Sequence, residues 1–430
     1  MKPYLLAGGV SLACLLTAGG SATAAGFYLQ DQSILGGGRA YSGEAADMGA
    51  QSMWYNPASI AGIAQSQSYA GVAGIIVNSD AYNHGSTLTN PFAGTLPAGG
   101  DNHVSNPVQN GVLPSGAFAW RFSDQWSLGI DSTAPFNFVT QYPTQSWTRY
   151  AAQTSRLTTI DLQPTIGWRP FRWLGIGIGP NVEYTLAALS NALPNLVPGS
   201  PDGQQTLHGN SWDVGYNVGV QLHITDRLTF GAAYRSKIQH NLSGKLDIEG
   251  LGGPLAAENG RSDAGAHFTT PWAATFGLRW QATDRLALNA QAVRQGWSVF
   301  DAVYVTSPTV TQTAENYHDT LNGAFGADFA VTPRWTMRGG IQYDPTPTSG
   351  DNRDPRVPDG NRWVFALGTS VKATSSLTID ASVNYIDFQN SRISRDAGAY
   401  AGTPVATPVD LQGELTASAW VIGLGTRMFF

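Results

Sequence analysis

The chain has 430 residues, a formal charge of −6, 50 glycines, 13 tryptophans and one cysteine. Four lysines accompany twenty arginines with no basic run, which argues against nucleic acid as a partner. Beyond the first residues nothing approaches the roughly 20 consecutive apolar residues of a membrane helix, so any crossing of a bilayer falls to strands.

In chain order, Lys2 and the apolar run Leu5–Leu16 precede Ala22-Thr23-Ala24, an A-x-A cleavage signal. Residues 1–24 read as a signal peptide, with the mature chain starting at Ala25. Cys14 is not a lipidation site, because Ser11 stands where an aliphatic residue belongs and the apolar run continues past the cysteine. The mature chain then has no disulfide or thiol chemistry.

Residues 25–65 lack sustained alternation, hold Gly36-Gly37-Gly38 and carry little charge. Low charge and many apolar residues argue against disorder. From residue 66 onward period-two segments recur. Leu174, Ile176, Ile178, Val182 and Tyr184 alternate with Gly175, Gly177, Gly179, Asn181 and Glu183. Trp212 to Leu222, Trp335 to Tyr343 and Leu377 to Tyr385 repeat the pattern. Short turns at 123–124, 170–171, 225–227, 283–285, 332–334 and 374–376 alternate with long Gly/Pro/Asn-rich stretches near 79–112, 139–152, 190–209, 241–264, 301–316, 346–360 and 390–414. That asymmetry belongs to a transmembrane barrel.

Fourteen strands are expected, beginning near residues 66, 113, 125, 154, 172, 210, 227, 265, 285, 317, 334, 361, 377 and 416. Trp120, Trp126, Trp168, Trp173, Trp280 and Trp335 lie beside the short turns, as an interfacial girdle requires. The last strand alternates to Phe430, the kind of strand that outer-membrane barrels present to the barrel-assembly machinery. The fold class is all-β: a fourteen-stranded antiparallel transmembrane β-barrel (66–430) in a Gram-negative outer membrane, in contact with its lipid. Residues 25–65 are expected to fold inside the lumen as a plug, or hatch.

Ala25-Gly26-Phe27, the run Gly38-Arg39-Ala40-Tyr41-Ser42-Gly43-Glu44-Ala45-Ala46-Asp47, and Asn56-Pro57-Ala58 resemble the hatch of the long-chain fatty acid transporter family (FadL/TodX-type). The resemblance continues through AYRSKI (233–238), RQGWSVF (294–300), TPRWTMRGGIQYDPTP (332–347) and RVPDGNRW (356–363). It implies a hatch-plugged fourteen-stranded barrel that takes up long-chain fatty acids or, in another branch, aromatic hydrocarbons, by diffusion. It further implies an outer apolar groove, a lumen pocket near the mature N-terminus, and exit through a kinked third strand.

In that strand Ala134-Pro135-Phe136 carries a proline, which cannot donate to a ladder and favours a bulge, unless it sits harmlessly above the bilayer rim. Leu186, Leu189, Leu193 and Leu196, at near-helical spacing, suggest a short amphipathic helix on an outer loop. With Pro91-Phe92 and Leu96 it would form the entrance groove, or else pack on a neighbouring loop. Asn56-Pro57-Ala58 should form a turn with a gating role. Asp31, Arg39, Glu44 and Asp47 need partners in the lumen, for which Arg338, Arg427 and Asp344 are in phase. The pairing could be a latch or purely structural.

Where the family is expected to hold a carboxylate, this chain has Asp301-Ala302-Val303-Tyr304 and Thr185-Leu186-Ala187-Ala188, without Lys or Arg. Arg149 and Arg156 could substitute, with Phe27 and Tyr304 as further ligand contacts. The alternative is an uncharged ligand such as an aromatic hydrocarbon. Seven scattered histidines without a serine motif or ligand spacing argue against catalysis, a cofactor or a metal. A general porin would lack a hatch.

Overall fold

The computed structural model describes residues 26–197, 199–307 and 310–430; the signal segment expected over 1–24 lies outside them. Fourteen antiparallel strands close on themselves. They are β1 (Gln67–Asn83), β2 (Gly111–Arg121), β3 in two pieces (Trp126–Thr133, Asn137–Gln141), β4 (Thr154–Phe171), β5 (Leu174–Leu193) and β6 (Gly203–Thr225). Then come β7 (Leu228–Arg235, Ile238–Glu249), β8 (Gly260–Thr270, Trp272–Gln281), β9 (Leu286–Gly296) and β10 (Thr320–Thr332). The last four are β11 (Trp335–Asp344), β12 (Arg362–Lys372), β13 (Leu377–Phe388) and β14 (Thr407–Phe429). The seam pairs β1 with β14 from Gln67↔Phe429 to Asn83↔Gly413 and closes the cylinder.

Two aromatic rings mark the bilayer. The six tryptophans beside the short turns all face outward, and Trp126 stacks on Trp168 at 5.3 Å. A second ring lies toward the long-loop end: Tyr184 against Trp212, Tyr234 against Trp272, Tyr343 against Trp363, and Tyr385 against Trp420. From Trp173 to Tyr184, at about 3.3 Å per residue and roughly 40° tilt, the wall climbs roughly 28 Å, close to the apolar band of such barrels. Between the rings Ile178, Val214, Leu367, Ile422 and Leu424 are exposed, while Gly177, Gly219, Val421 and Ala419 face inward.

Outside the outer ring the wall differs from the sequence reading. β6 starts at Gly203 rather than near 210, β14 at Thr407 rather than near 416, and β7 and β8 run through stretches expected as loop. These extensions stand above the lipid, where neither face need be apolar. Gln204-Gln205-Thr206 therefore carries no period-two signal while still pairing with Ala192, Asn191 and Ser190. The amphipathic helix expected over 186–197 is likewise strand: β5 continues to Leu193. Its leucines pair across the sheet, and the twenty-residue ladder with β6 outweighs their helical spacing.

Residues 26–63 lie inside this wall and are almost wholly buried. They contain α1 (Ile34–Gly37), capped by the Ser33 hydroxyl on the Gly36 amide at 3.0 Å, and three short 3-10 turns. The buried segment meets the wall closely where the wall has no side chain. A Cβ on Gly219 would stand 1.9 Å from Asn56 Oδ1, and one on Gly340 would stand 2.2 Å from the Arg39 carbonyl oxygen.

Candidate functional site

Above the buried segment, Phe27 rises into a nest of rings. It lies 5.7 Å from Phe136, 5.9 Å from Phe138, 5.1 Å from Trp297 and 5.2 Å from Phe300, all tilted or edge-on as aromatic quadrupoles favour. Beside the nest is a cavity of about 80 Å³, walled by Phe27, Leu157, Leu189, Leu242 and Phe268. Its apolar wall suits a hydrophobic small molecule. Glu315, Asp354 and Arg356 border it from the long loops.

The third strand breaks next to this cavity. Thr133 pairs with Asp161 and Asn137 with Thr158, so β3 holds one residue more than β4 across the interval. Pro135 occupies the middle, where no amide is available. The backbone groups that leave the ladder find partners in the buried segment instead. Gln32 bonds the Ala134 amide at 3.2 Å and its carbonyl at 3.1 Å, the Leu29 amide donates to the Pro135 carbonyl at 2.7 Å, and Tyr28 forms a bridge with Phe136. On the other side β2 pairs with β3 only as far as Gly116↔Ser132, although β2 continues to Gly111. The wall re-forms further out, where the Gln109 amide donates to Val139 and the Gln141 amide to Pro107. Phe136 itself stays on β4, its carbonyl accepting from the Thr159 amide and its amide donating to the Thr159 hydroxyl, each at 3.0 Å. The interval without a strand partner is thus Ala134-Pro135, and it lies open toward β2.

Arg39 gathers three carboxylates, two from residues 26–63 and one from the wall. Arg39 Nη2 bonds Glu44 and Asp47, each at 2.6 Å, and its Nη1 reaches Asp328 on β10 at 3.1 Å. Asp328 also accepts from Arg279 and pairs with Arg338 at 2.7 Å. The partners expected from phase differ. Arg338 touches the cluster only through Asp328, Arg427 pairs with Asp380, and Asp344 pairs with Arg362, each with a carboxylate or guanidinium on an adjoining strand. Asp31 accepts from the Tyr41 hydroxyl. Asn56 caps its own turn at the Ala58 amide (2.9 Å) and donates to Ala45 (2.7 Å) and to Val220 on β6 (3.1 Å). Asn-Pro-Ala therefore ties this segment to the wall.

Of the other residues singled out in the sequence, Phe27 and Leu189 line the cavity. Arg156 borders it from the phase of β4 opposite Leu157, with Thr158 as its hydroxyl neighbour at 3.5 Å. Four stand elsewhere. Arg149 is held by Asp202 at 2.9 Å and by the carbonyls of Ala98 and Gly99, pinning outer loops together. Leu186 lies in the outward phase of β5, set by Tyr184, because a strand turns alternate residues apart. Leu193 packs with Leu196, Leu251 and Leu255. Tyr304 stacks on His267 at 4.6 Å and donates to Asp301. An outer groove does join the two stretches named for an entrance, with Leu96, Ala192 and Val197 in its wall, and Phe92 is 72% exposed.

Sequence reasoning missed Gln32, Asp328, Glu315 and Arg356. Asp328 was visible only as one more inward-phase polar residue, and the other three lie in segments without periodicity. Outside the barrel His103, Asp80 and Ser105 come together, but Asp80 (2.7 Å) and Ser105 (3.4 Å) both face Nε2, whereas a hydrolytic relay needs its acid and nucleophile on opposite ring nitrogens.

The comparisons agree with this architecture. The profile of the family described as "Outer membrane protein transport protein (OMPP1/FadL/TodX)" matches residues 15–430. The chain is 24% identical over 457 residues to the "Long-chain fatty acid transport protein" of Escherichia coli K12, covering 95% of each. A crystal structure of a Pseudomonas aeruginosa FadL homologue superposes with a TM-score of 0.82 at 23% identity, over 94% of this chain and 100% of that one. The Ralstonia pickettii toluene transporter TbuX gives 0.65 at 18% identity, over 93% and 98%. A closed barrel with two lipid-facing aromatic rings, filled at one end and carrying an apolar cavity at the other, is thus an outer-membrane transport protein, and the chain belongs to the OMPP1/FadL/TodX family.

Proposed function

We propose that the protein takes up long-chain fatty acids, or molecules of similar hydrophobicity, across the outer membrane without an energy source. One observation carries this reading: the apolar cavity adjoins the place where the wall's hydrogen bonds are surrendered to the internal segment. Ligand would gather at the outer groove, settle against Phe27, and leave sideways between β2 and β3 at Pro135. Residues 25–65 would act as the hatch, because Leu29, Gln32 and Phe27 hold both the cavity and the interrupted strand. The fatty acid transporters among the relatives support the substrate class.

A second reading, uptake of uncharged hydrocarbon, draws on the apolar cavity wall and on the toluene transporters that share the fold. An open porin is disfavoured by the filling of the lumen by residues 26–63.

The test is uptake of radiolabelled oleate and toluene by a strain lacking the gene, complemented with the wild-type chain or with Pro135→Ala. Wild type should restore uptake of at least one ligand, and Pro135→Ala, by returning an amide to the strand, should lower it several-fold at equal surface level. No restoration of either would sink the uptake reading. Full activity of Pro135→Ala would remove the lateral route.

A further inference from the structure

On the short-turn side of the cavity, the inner face of β3 to β6 carries more negative charge than its surroundings answer. Asp161, Glu183 and Asp213 stand directly opposite one another on neighbouring strands, an arrangement that like charges disfavour. Asp131 joins them through Gln163 on β4, whose amide reaches it at 3.4 Å. Asp131, Asp161 and Glu183 are at most 2% exposed. Two cations meet these four carboxylates among the described residues. Arg235 pairs with Asp161 at 3.1 Å. His240, fully buried, faces Glu183 with Nε2 at 3.4 Å and Asp213 with Nδ1 at 3.3 Å. A carboxylate at each ring nitrogen calls for a proton on both. Four negative charges then stand against two positive ones, where unbalanced charge is costly.

The hydrogen bonds are one-sided in the same way. Asp131 Oδ1, Asp161 Oδ1 and Glu183 Oε1 are buried without a partner, and so are the side-chain carbonyls of Asn181 and Asn217. Both carboxamides belong to the same network. Asn181 donates to Asp161 at 2.7 Å, and Asn181 and Asn217 each donate to Gln163 Oε1 at 3.1 Å, which leaves their carbonyls to accept. Five buried acceptors without donors, three of them anionic, call for a cation.

We propose that this patch binds one divalent cation of the calcium type, centred on Asp161 and Glu183 and completed by Asn181. A charge of two restores neutrality. No group of three acidic or histidine side chains among the described residues is arranged as a metal cage. Two carboxylates, a carboxamide and water make instead the loose oxygen shell that calcium accepts. The ion bridges β4 and β5 level with Thr133, where β3 leaves its ladder, and turns repulsion into attraction there. No spacing in the sequence announces it, because the oxygens meet across strands.

Full-length protein in phosphatidylcholine nanodiscs, stripped with a chelator and dialysed against radioactive calcium at pH 7.5, tests this. Wild type should hold one calcium per chain beyond empty discs, with half-saturation below about 1 mM. Asp161→Asn and Glu183→Gln should each weaken it about tenfold or more. Asp410→Asn, which neutralises half of the opposed Asp396–Asp410 pair in the long-loop region, should leave it unchanged. Terbium in place of calcium should luminesce when tryptophan is excited, because the Trp54 carbonyl accepts from Asn217 and its ring lies 4.4 Å from the Arg235 guanidinium. Trp54→Phe should dim that emission at unchanged calcium stoichiometry, and it serves if the carboxylate variants do not fold. No calcium beyond empty discs would overturn the proposal and assign the surplus charge to bound protons. A site lost in Asp410→Asn but kept in Asp161→Asn, or terbium emission untouched by Trp54→Phe, would overturn it too. The uptake reading stands whichever result is found.

Discussion

The side chain of Gln32 grips the peptide unit of Ala134 from both ends, accepting from its amide at 3.2 Å and donating to its carbonyl at 3.1 Å. A carboxamide has the same donor and acceptor as a backbone peptide, so Gln32 stands in for the neighbouring strand that β3 loses at this point. Gln32→Ala would leave both groups of a half-buried residue unmet, at a cost of about 1–3 kcal/mol. Hydrogen exchange of residues 132–136 should quicken by roughly 5- to 150-fold, the equivalent of that cost. Exchange in β11 and β12 should not change. An unchanged rate at Ala134 would show that the interrupted strand is held by something other than the internal segment.

What the sequence made legible follows from the solvent. Lipid on one side of the wall enforces the alternation of Leu174 to Tyr184, so strand number, orientation and the Trp120–Trp335 girdle could be read directly. Residues 26–63 stood out because they lack it. Leu186, Leu189 and Leu193 misled, since a spacing of three and four satisfies a helix while the ladder of β5 with β6 imposes a strand. Pairings inside the lumen were hidden for a different reason. An inward-phase charge such as Arg427 or Asp344 has candidate partners on every element that reaches the lumen, and only the register shows that each is satisfied by an adjoining strand. Glu315 and Arg356 come together from loops with no period at all.

Asp328 is the wall's only direct ion-pair contact with Arg39 among the described residues, and it serves two wall arginines as well. Asp328→Asn keeps the shape and removes the charge. Three guanidiniums then share one neutral acceptor, and breaking a buried network in this way costs about 3–5 kcal/mol. Arg39 keeps Glu44 and Asp47, so the loss should fall on the attachment of residues 26–65 rather than on the barrel. Limited proteolysis should then cut within that segment, while the heat-dependent shift of the barrel on gels persists. Resistance equal to wild type would show that Asn56 and the close backbone contacts suffice without the ion pairs.

Neighbouring glycines on β11 separate seating from strand effects. A Cβ at Gly340 would meet the Arg39 carbonyl oxygen at 2.2 Å, whereas at Gly339, on the lipid side, it would meet Leu367 Cδ2 at an ordinary 3.7 Å. Backbone cannot swing aside as a flexible side chain can, so Gly340→Ala must push the Arg39 turn off the wall, an overpacking cost of about 1–3 kcal/mol. Gly339→Ala should stay within about 0.5 kcal/mol of wild type. In planar bilayers Gly340→Ala should show frequent ion-conducting openings as the filled lumen loosens, and Gly339→Ala should remain closed. Both substitutions alter strand propensity alike, so openings in both would assign the effect to the strand, and openings in neither would mean that the buried segment tolerates displacement without unblocking the lumen.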